Sequence, residues 1–320
     1  LPAGRIAGLD ATRDFHYGLL TPMDNERQLR EEIVEVGRRL WVRGYTASND
    51  GNISVRLDRG RLLMTPASVC KGFMMPEMMV VTDLDGRVLS AAPGRKPSSE
   101  MLMHLVVYRH RPDVGAVVHA HPTTATGFAV AGIALDRAVL AEVVTTLGSI
   151  PLADYGTPST EELATTVEPF VKAHDALLLA NHGALALGKD VFAAYYKMET
   201  IEHFARISLV ARQLGREHLL SRNEVDRLQA LRGTYGIAAP APICPDPPPA
   251  GSDVDPSCQI LISPESAGDR LVPVSTAVEA ARGTLVTAGV GTGGEIRLTY
   301  AQLTTLIDAT VEEIMKGLKA

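Results

Sequence analysis

The sequence predicts an α/β fold. Helical periodicity over residues 25–45 and 191–214 alternates with short apolar or alternating segments that end in turn residues, among them residues 117–121 and 176–181. A chain of 320 residues with 46% hydrophobic and 21% charged content has the material for one large α/β domain, or for a domain of about 200 residues with an appendage.

Residues 1–22 have no clear period and close on Thr21-Pro22, a loosely ordered lead-in. Leu29, Ile33, Val36, Leu40 and Trp41 then recur at helical spacing before Gly44, which predicts an amphipathic helix. Ser48-Asn49-Asp50-Gly51-Asn52-Ile53 is a polar, glycine-bearing turn feeding a short strand. Such a turn can offer backbone N–H groups to an anion, and it can equally be a plain hairpin turn. Leu62 to Ser68 repeats the arrangement of strand then polar loop, and Met79 to Leu89 reads as a hairpin on Asp85-Gly86.

Pro97-Ser98-Ser99-Glu100 opens a second helix, with apolar Met101, Leu102, Leu105 and Val106 and a stop at Pro112. A serine cap and a first-turn carboxylate are both favourable there, so Glu100 taken alone is a helix-start residue. The next strand, Val117-Val118-His119-Ala120-His121, places its two histidines at i and i+2. Side chains alternate along a strand, so both imidazoles point one way and can reach one metal ion. Leu135 to Ile150 is apolar and poorly periodic, and a helix is expected near Glu161 to Val171. Ala176 to Ala184 reads as an apolar strand that meets His182 beside Gly183, a place where histidine is commonly structural. His203, on the long helix that follows, falls on a mixed surface outside any site.

Glu100, His119, His121 and His182 together make a sharper pattern than any one of them. Three neutral imidazoles with an open fourth position are a common catalytic zinc arrangement, and a nearby carboxylate serves as base or exchangeable ligand.

Composition narrows the function classes. A net charge of −6 and the lack of a Lys/Arg run argue against nucleic-acid binding. Three cysteines, irregularly spaced, do not form a disulfide framework or zinc ribbon, which points to a reducing cytoplasm. Leu1 to Asp10 lack the pattern of a signal peptide, and no apolar stretch approaches the roughly 18 residues of a membrane span.

After Gly236 the composition changes. Seven prolines crowd into residues 239–257, and the chain stays rich in Gly, Ser, Thr and Ala to about Arg297. Leu303, Leu306, Ile307, Val311, Ile314, Met315 and Leu318 then form one stripe. The expected organisation is a lead-in at 1–22, a catalytic domain at 23–235, a linker at 236–297 and an amphipathic helix at 298–320.

Residues 25 to 215 resemble the class II aldolase and adducin family. The motifs that carry the likeness are Gly51-Asn52-Ile53-Ser54, Thr65-Pro66, Pro97-Ser98-Ser99-Glu100, His119-Ala120-His121-Pro122 and Asn181-His182-Gly183. Within the family the chain is most similar to the L-fuculose-1-phosphate aldolase group. The resemblance implies a three-layer αβα fold with a largely antiparallel central sheet, and a homotetramer. It implies zinc, or another divalent metal, on His119, His121 and His182, with Glu100 as catalytic acid/base and Gly51, Asn52, Ser98 and Ser99 on the phosphate of a sugar phosphate. The implied reaction is retro-aldol cleavage of an L-fuculose 1-phosphate-like ketose to dihydroxyacetone phosphate and L-lactaldehyde. Zinc would stabilise the enediolate left behind, and no Schiff-base lysine is needed.

The chain departs from the family pattern in three places. Ala67-Ser68 stands where the family has Ser or Thr followed by Gly. No tyrosine stands at Leu140 to Glu142, where the aldolases have a proton donor, so either another group, such as Tyr155 or water, takes that task or the preferred substrate differs. The C-terminal active-site tyrosine has no match. Residues 298–320 on their linker are similar to the encapsulation peptides of bacterial microcompartments, which would make shell proteins a partner. A helix that docks on its own oligomer is the simpler alternative. Competing functions are a pentulose-phosphate 4-epimerase on the same scaffold, a methylthio-sugar phosphate dehydratase, and a non-enzymatic adducin-like binding module.

Overall fold

The computed structural model describes residues 22–237 and 241–243, with two further short strands at 272–274 and 296–298. Helix α1 (Pro22–Val42) buries Ile33, Val36 and Leu40 completely, and Gly44 ends the segment at φ +70°. Trp41, which shares that helical spacing, is 42% exposed and packs its ring against Phe73 at 5.2 Å. Gly72 makes the room, since a Cβ there would lie 2.5 Å from Trp41 Cδ2.

Eight strands form one sheet: β1 (Asn52–Arg56), β2 (Arg61–Met64), β3 (Val80–Asp83), β4 (Val88–Ser90), β5 (Ala116–Ala120), β6 (Leu152–Ala153), β7 (Ala176–Leu179) and β8 (Gly183–Gly188). Their order is β4-β3-β2-β1-β5-β8-β7-β6. The pairs β1–β2, β1–β5, β2–β3 and β3–β4 are antiparallel, whereas β6–β7 is parallel. The expected α/β class with a largely antiparallel central sheet is the fold found. Strands β5, β7 and β8 are buried at every residue, which is why they read as apolar runs rather than alternations. The turn between β3 and β4 is the expected Asp-Gly turn. Asp83 Oδ1 accepts the N–H groups of Asp85 and Arg87, and Gly86 sits at φ +84°.

The chain divides into two compact units, Leu1–His121 with Ala186–Tyr196, and Pro122–Leu185 with Lys197–Ala320. In the first, β1 and β5 pair so that Asn52 stands opposite His119, and the His121 N–H donates to Tyr45 O at 2.8 Å. Helix α2 (Met101–His110) follows Glu100 and stops before Pro112, as expected.

In the second unit, α3 (Thr123–Val130) starts directly after Pro122. The buried Glu202 carboxylate accepts the Thr124 and Ala125 N–H groups there, at 3.0 and 2.9 Å. The poorly periodic stretch 135–150 contains α4 (Ala141–Thr146) and an isolated bridge between Leu135 and Ile150. Helix α5 (Glu161–Val171) matches its expectation, and the long helix is α6 (Val191–Gln213). Helix α7 (Arg222–Thr234) is not foreseen by periodicity. Its signal is Ser221 three residues before Glu224, whose carboxylate accepts the Ser221 N–H at 2.7 Å.

In the expected linker and the first residue of the expected terminal helix, β9 (Val272–Val274) and β10 (Ile296–Leu298) pair antiparallel, with Arg297 opposite Pro273. The expected lead-in up to residue 21, most of the linker, and the amphipathic helix after residue 298 lie outside the described residues. No helix among the described residues is long and apolar enough to cross a membrane.

Candidate metal and acid–base site

The antiparallel register of β1 and β5 brings Asn52 beside His119, and Glu100 reaches the same place from the start of α2. Glu100 occupies the cap position, yet its side chain makes no capping bond. Ser98 Oγ takes the capping task and accepts the Glu100 N–H at 3.3 Å. The Glu100 carboxylate instead accepts from Asn52 Nδ2 at 2.7 Å and lies 3.3 Å from His119 Nε2. Its side chain is only 11% exposed. The helix-start expectation therefore divides between two residues, with the serine capping and the carboxylate turned toward the histidines.

His119 is fully buried and its Nε2 lies 3.0 Å from His121 Nε2. Two nitrogens each about 2.0–2.1 Å from a tetrahedral zinc stand roughly 3.3 Å apart, so the pair is close to a two-ligand bite. Asp50 Oδ2 lies 3.4 Å from His121 Nδ1. A carboxylate at that nitrogen holds the ring with Nε2 presented as the ligand atom, a partner the sequence alone does not assign. His182 sits in the turn after β7, where Asn181 has φ +55° and the His182 N–H donates to Leu179 O at 3.0 Å. The ligand nitrogens of His119, His121 and His182 all lie within 4.8 Å of one another. An all-imidazole donor set suits zinc and other borderline divalent ions, so these residues fit the metal expected of them.

The residues expected at a phosphate lie on two segments, Gly51-Asn52 and Ser98-Ser99. Gly51 has φ +71°, and a Cβ there would meet His119 O and Thr46 Cγ2 at 2.8 Å. The loop after β2 is tied to the segment 96–99 through Ala67 N–H to Lys96 O at 3.0 Å and Ser98 N–H to Thr65 O at 3.1 Å. Ser98 is buried and Ser99 is exposed. Ser68 adopts φ +58°, a left-handed conformation that favours glycine, so a serine stands here where glycine would be less strained.

Lys71 and His104 are singled out by no motif in the sequence. Buried Lys71 donates Nζ to Asn49 O at 3.1 Å and Val69 O at 2.7 Å, joining the Asn49–Gly51 turn to the loop after β2. Burial pushes its ammonium down to about 8. His104 is fully buried one helical turn after Glu100. The spacing of four residues puts both on one face of α2, the only sequence signal it carries.

Residues 31–209, more than half of the chain, match the family model of the class II aldolase and adducin N-terminal domain. The chain belongs to that family. Among relatives of this class II aldolase-family chain is the 3-oxo-tetronate 4-phosphate decarboxylase of Pectobacterium atrosepticum, 33% identical over 62% of this chain and 91% of that protein. The L-fuculose phosphate aldolase of Methanococcus maripaludis is 33% identical over 57% of this chain and 97% of that protein. The crystal structure of Escherichia coli YgbL matches with a TM-score of 0.60 and 32% identity, over 64% of this chain and 99% of that one. Class II aldolases are metal-dependent, and among the described residues His119, His121 and His182 form a group that could bind a metal.

Proposed function

We propose that this class II aldolase-family chain is a metal-dependent carbon–carbon lyase that cleaves a ketose 1-phosphate, of the L-fuculose 1-phosphate type, to dihydroxyacetone phosphate and L-lactaldehyde. The observation that carries the reading is the Glu100 carboxylate 3.3 Å from His119 Nε2, beside the three-histidine group. Zinc, or another divalent ion, on His119, His121 and His182 would supply the Lewis acidity that stabilises negative charge on the ketone-bearing fragment. Glu100 is the base that takes the hydroxyl proton whose loss starts the bond cleavage. Gly51, Asn52, Ser98 and Ser99 are assigned to the substrate phosphate, where small residues let backbone N–H groups approach its oxygens.

A second reading is favoured by the decarboxylase relative. Loss of carbon dioxide from a 3-oxo-tetronate 4-phosphate and loss of an aldehyde from a ketose 1-phosphate leave the same carbanion, that of dihydroxyacetone phosphate. One charge-stabilising site therefore serves either reaction, and the two differ in whether a hydroxyl must first be deprotonated. Incubating the metal-loaded protein separately with L-fuculose 1-phosphate, 3-oxo-tetronate 4-phosphate and L-ribulose 5-phosphate separates them. Lactaldehyde from the first supports the aldolase. Carbon dioxide from the second assigns the decarboxylase, and epimerisation of the third without fragments assigns the 4-epimerase.

The same reading places the enzyme in the cytoplasm as a homotetramer, with residues 298–320 docking it onto microcompartment shell proteins that confine a reactive aldehyde. Truncation after Gly236 should leave cleavage intact and abolish co-assembly with shell proteins. Loss of the oligomer on truncation would instead make the helix a structural element.

A further inference from the structure

Behind Glu100 lies a buried polar chain of which the cleavage scheme uses only Asn52, through its backbone. Asn52 Oδ1 is 2.5 Å from His104 Nε2, His104 Nδ1 is 2.6 Å from Ser54 Oγ, and Ser54 Oγ is 2.9 Å from the Tyr108 hydroxyl. Asn52, Ser54, His104 and Tyr108 are all buried. The direction of every bond follows from the ionised Glu100, because a carboxylate only accepts. Asn52 must present its NH2 to Glu100 Oε2, so its oxygen faces His104. That oxygen also only accepts, so the His104 proton is on Nε2 and Nδ1 is left to accept from Ser54. With its proton given to His104, Ser54 accepts from Tyr108.

We propose that His104 is a positioning residue for Glu100, holding the Asn52 amide by its Nε2–H so that the NH2 end, and not the oxygen, faces the carboxylate. Without that donor the two orientations of the Asn52 amide lose their distinction. A flipped amide sets an oxygen against the Glu100 carboxylate and pushes it off its position beside His119. Ser54 and Tyr108 sustain the arrangement by occupying Nδ1, which excludes the other tautomer. Burial favours the neutral ring, with the His104 pKa pushed down to about 4, so the tautomer persists through the neutral range.

The proposal rests on Glu100 being the base of the proposed reaction, and its test separates the two. Long-range 1H–15N spectra of the metal-loaded full-length protein read the His104 tautomer directly. A neutral ring protonated at Nε2 is expected, and protonation at Nδ1 overturns the proposal whatever the substrate proves to be. Kinetics on the substrate that is turned over supply the second arm. His104→Leu should lower kcat about 10- to 100-fold with KM changed less than about 3-fold, because the base is misplaced while substrate binding persists. His104→Gln keeps an N–H near the Nε2 position and should restore most of kcat. Metal content should equal that of wild type in both variants. Wild-type kcat in His104→Leu, or a His104→Gln no better than His104→Leu, overturns the proposal. A wild-type protein inactive on every ketose phosphate refutes the function instead, and leaves the tautomer to decide the role of His104.

Discussion

Asn52 and Glu100 stand 48 residues apart in the chain and share a hydrogen bond of 2.7 Å, from the amide of one to the carboxylate of the other. The bond links the first residue of β1 to the residue ahead of α2, and the same carboxylate oxygen faces His119 Nε2. Glu100→Gln preserves shape and an acceptor for Asn52 while removing the proposed base. It should retain metal and fold, and lose at least about 100-fold in kcat for retro-aldol cleavage, measured by release of dihydroxyacetone phosphate. Activity equal to wild type would remove Glu100 from the mechanism.

Gly51→Ala is expected to be costlier than Gly44→Ala. Both glycines have positive φ, +71° and +70°, but a Cβ at Gly51 meets His119 O at 2.8 Å whereas one at Gly44 meets nothing within 4 Å. Gly44→Ala carries the left-handed backbone cost of about 1–2 kcal/mol. Gly51→Ala adds a clash against the carbonyl of His119, a proposed metal ligand, and should weaken metal affinity as well. Urea midpoints and metal titrations of the pair check this, and equal losses would remove the contact argument.

His104 makes stability depend on pH with a defined sign. Its pKa lies below that of the unfolded chain, at about 4 rather than roughly 6.5, so its contribution is complete above pH 6.5. That contribution is lost as pH falls from about 6.5 toward 4, because the unfolded state binds a proton the buried ring refuses. The full loss is on the order of 3 kcal/mol. Urea unfolding between pH 7 and 4.5 should show a steeper decline for wild type than for His104→Gln, and parallel declines would contradict it.

Trp41 is the sole tryptophan of the chain, so its fluorescence reports on its contact with Phe73. Gly72→Ala places a Cβ 2.5 Å from the indole and should displace it, with a red-shifted emission. Catalysis should be unchanged. An unchanged spectrum would mean that the ring does not rest on Gly72.

The histidine pair was legible because strand alternation alone sets the direction of residues 119 and 121. Glu100 was ambiguous because serine and glutamate each suit a helix start, and only the β1 pairing shows which of them caps. His104 was hidden because its role depends on Asn52, a residue of another element brought near by the sheet. The exposure of Trp41 is not legible in the sequence because helical periodicity locates a stripe but not its edge, and the edge is set by Phe73 and Gly72. The helix at Arg222–Thr234 had a local signal, Ser221 with Glu224, on a segment whose apolar spacing is weak. The nitrogen partner of His121 needed the turn geometry that brings Asp50 to it.

Metal content per chain tests the central claim most directly, in protein purified without chelator and after exposure to zinc. The three-histidine group predicts about one divalent ion per chain, lost on substitution of His119, His121 or His182 by alanine and retained in Glu100→Gln. A wild-type protein that takes up no divalent ion, or one whose ion survives removal of these histidines, would contradict the account.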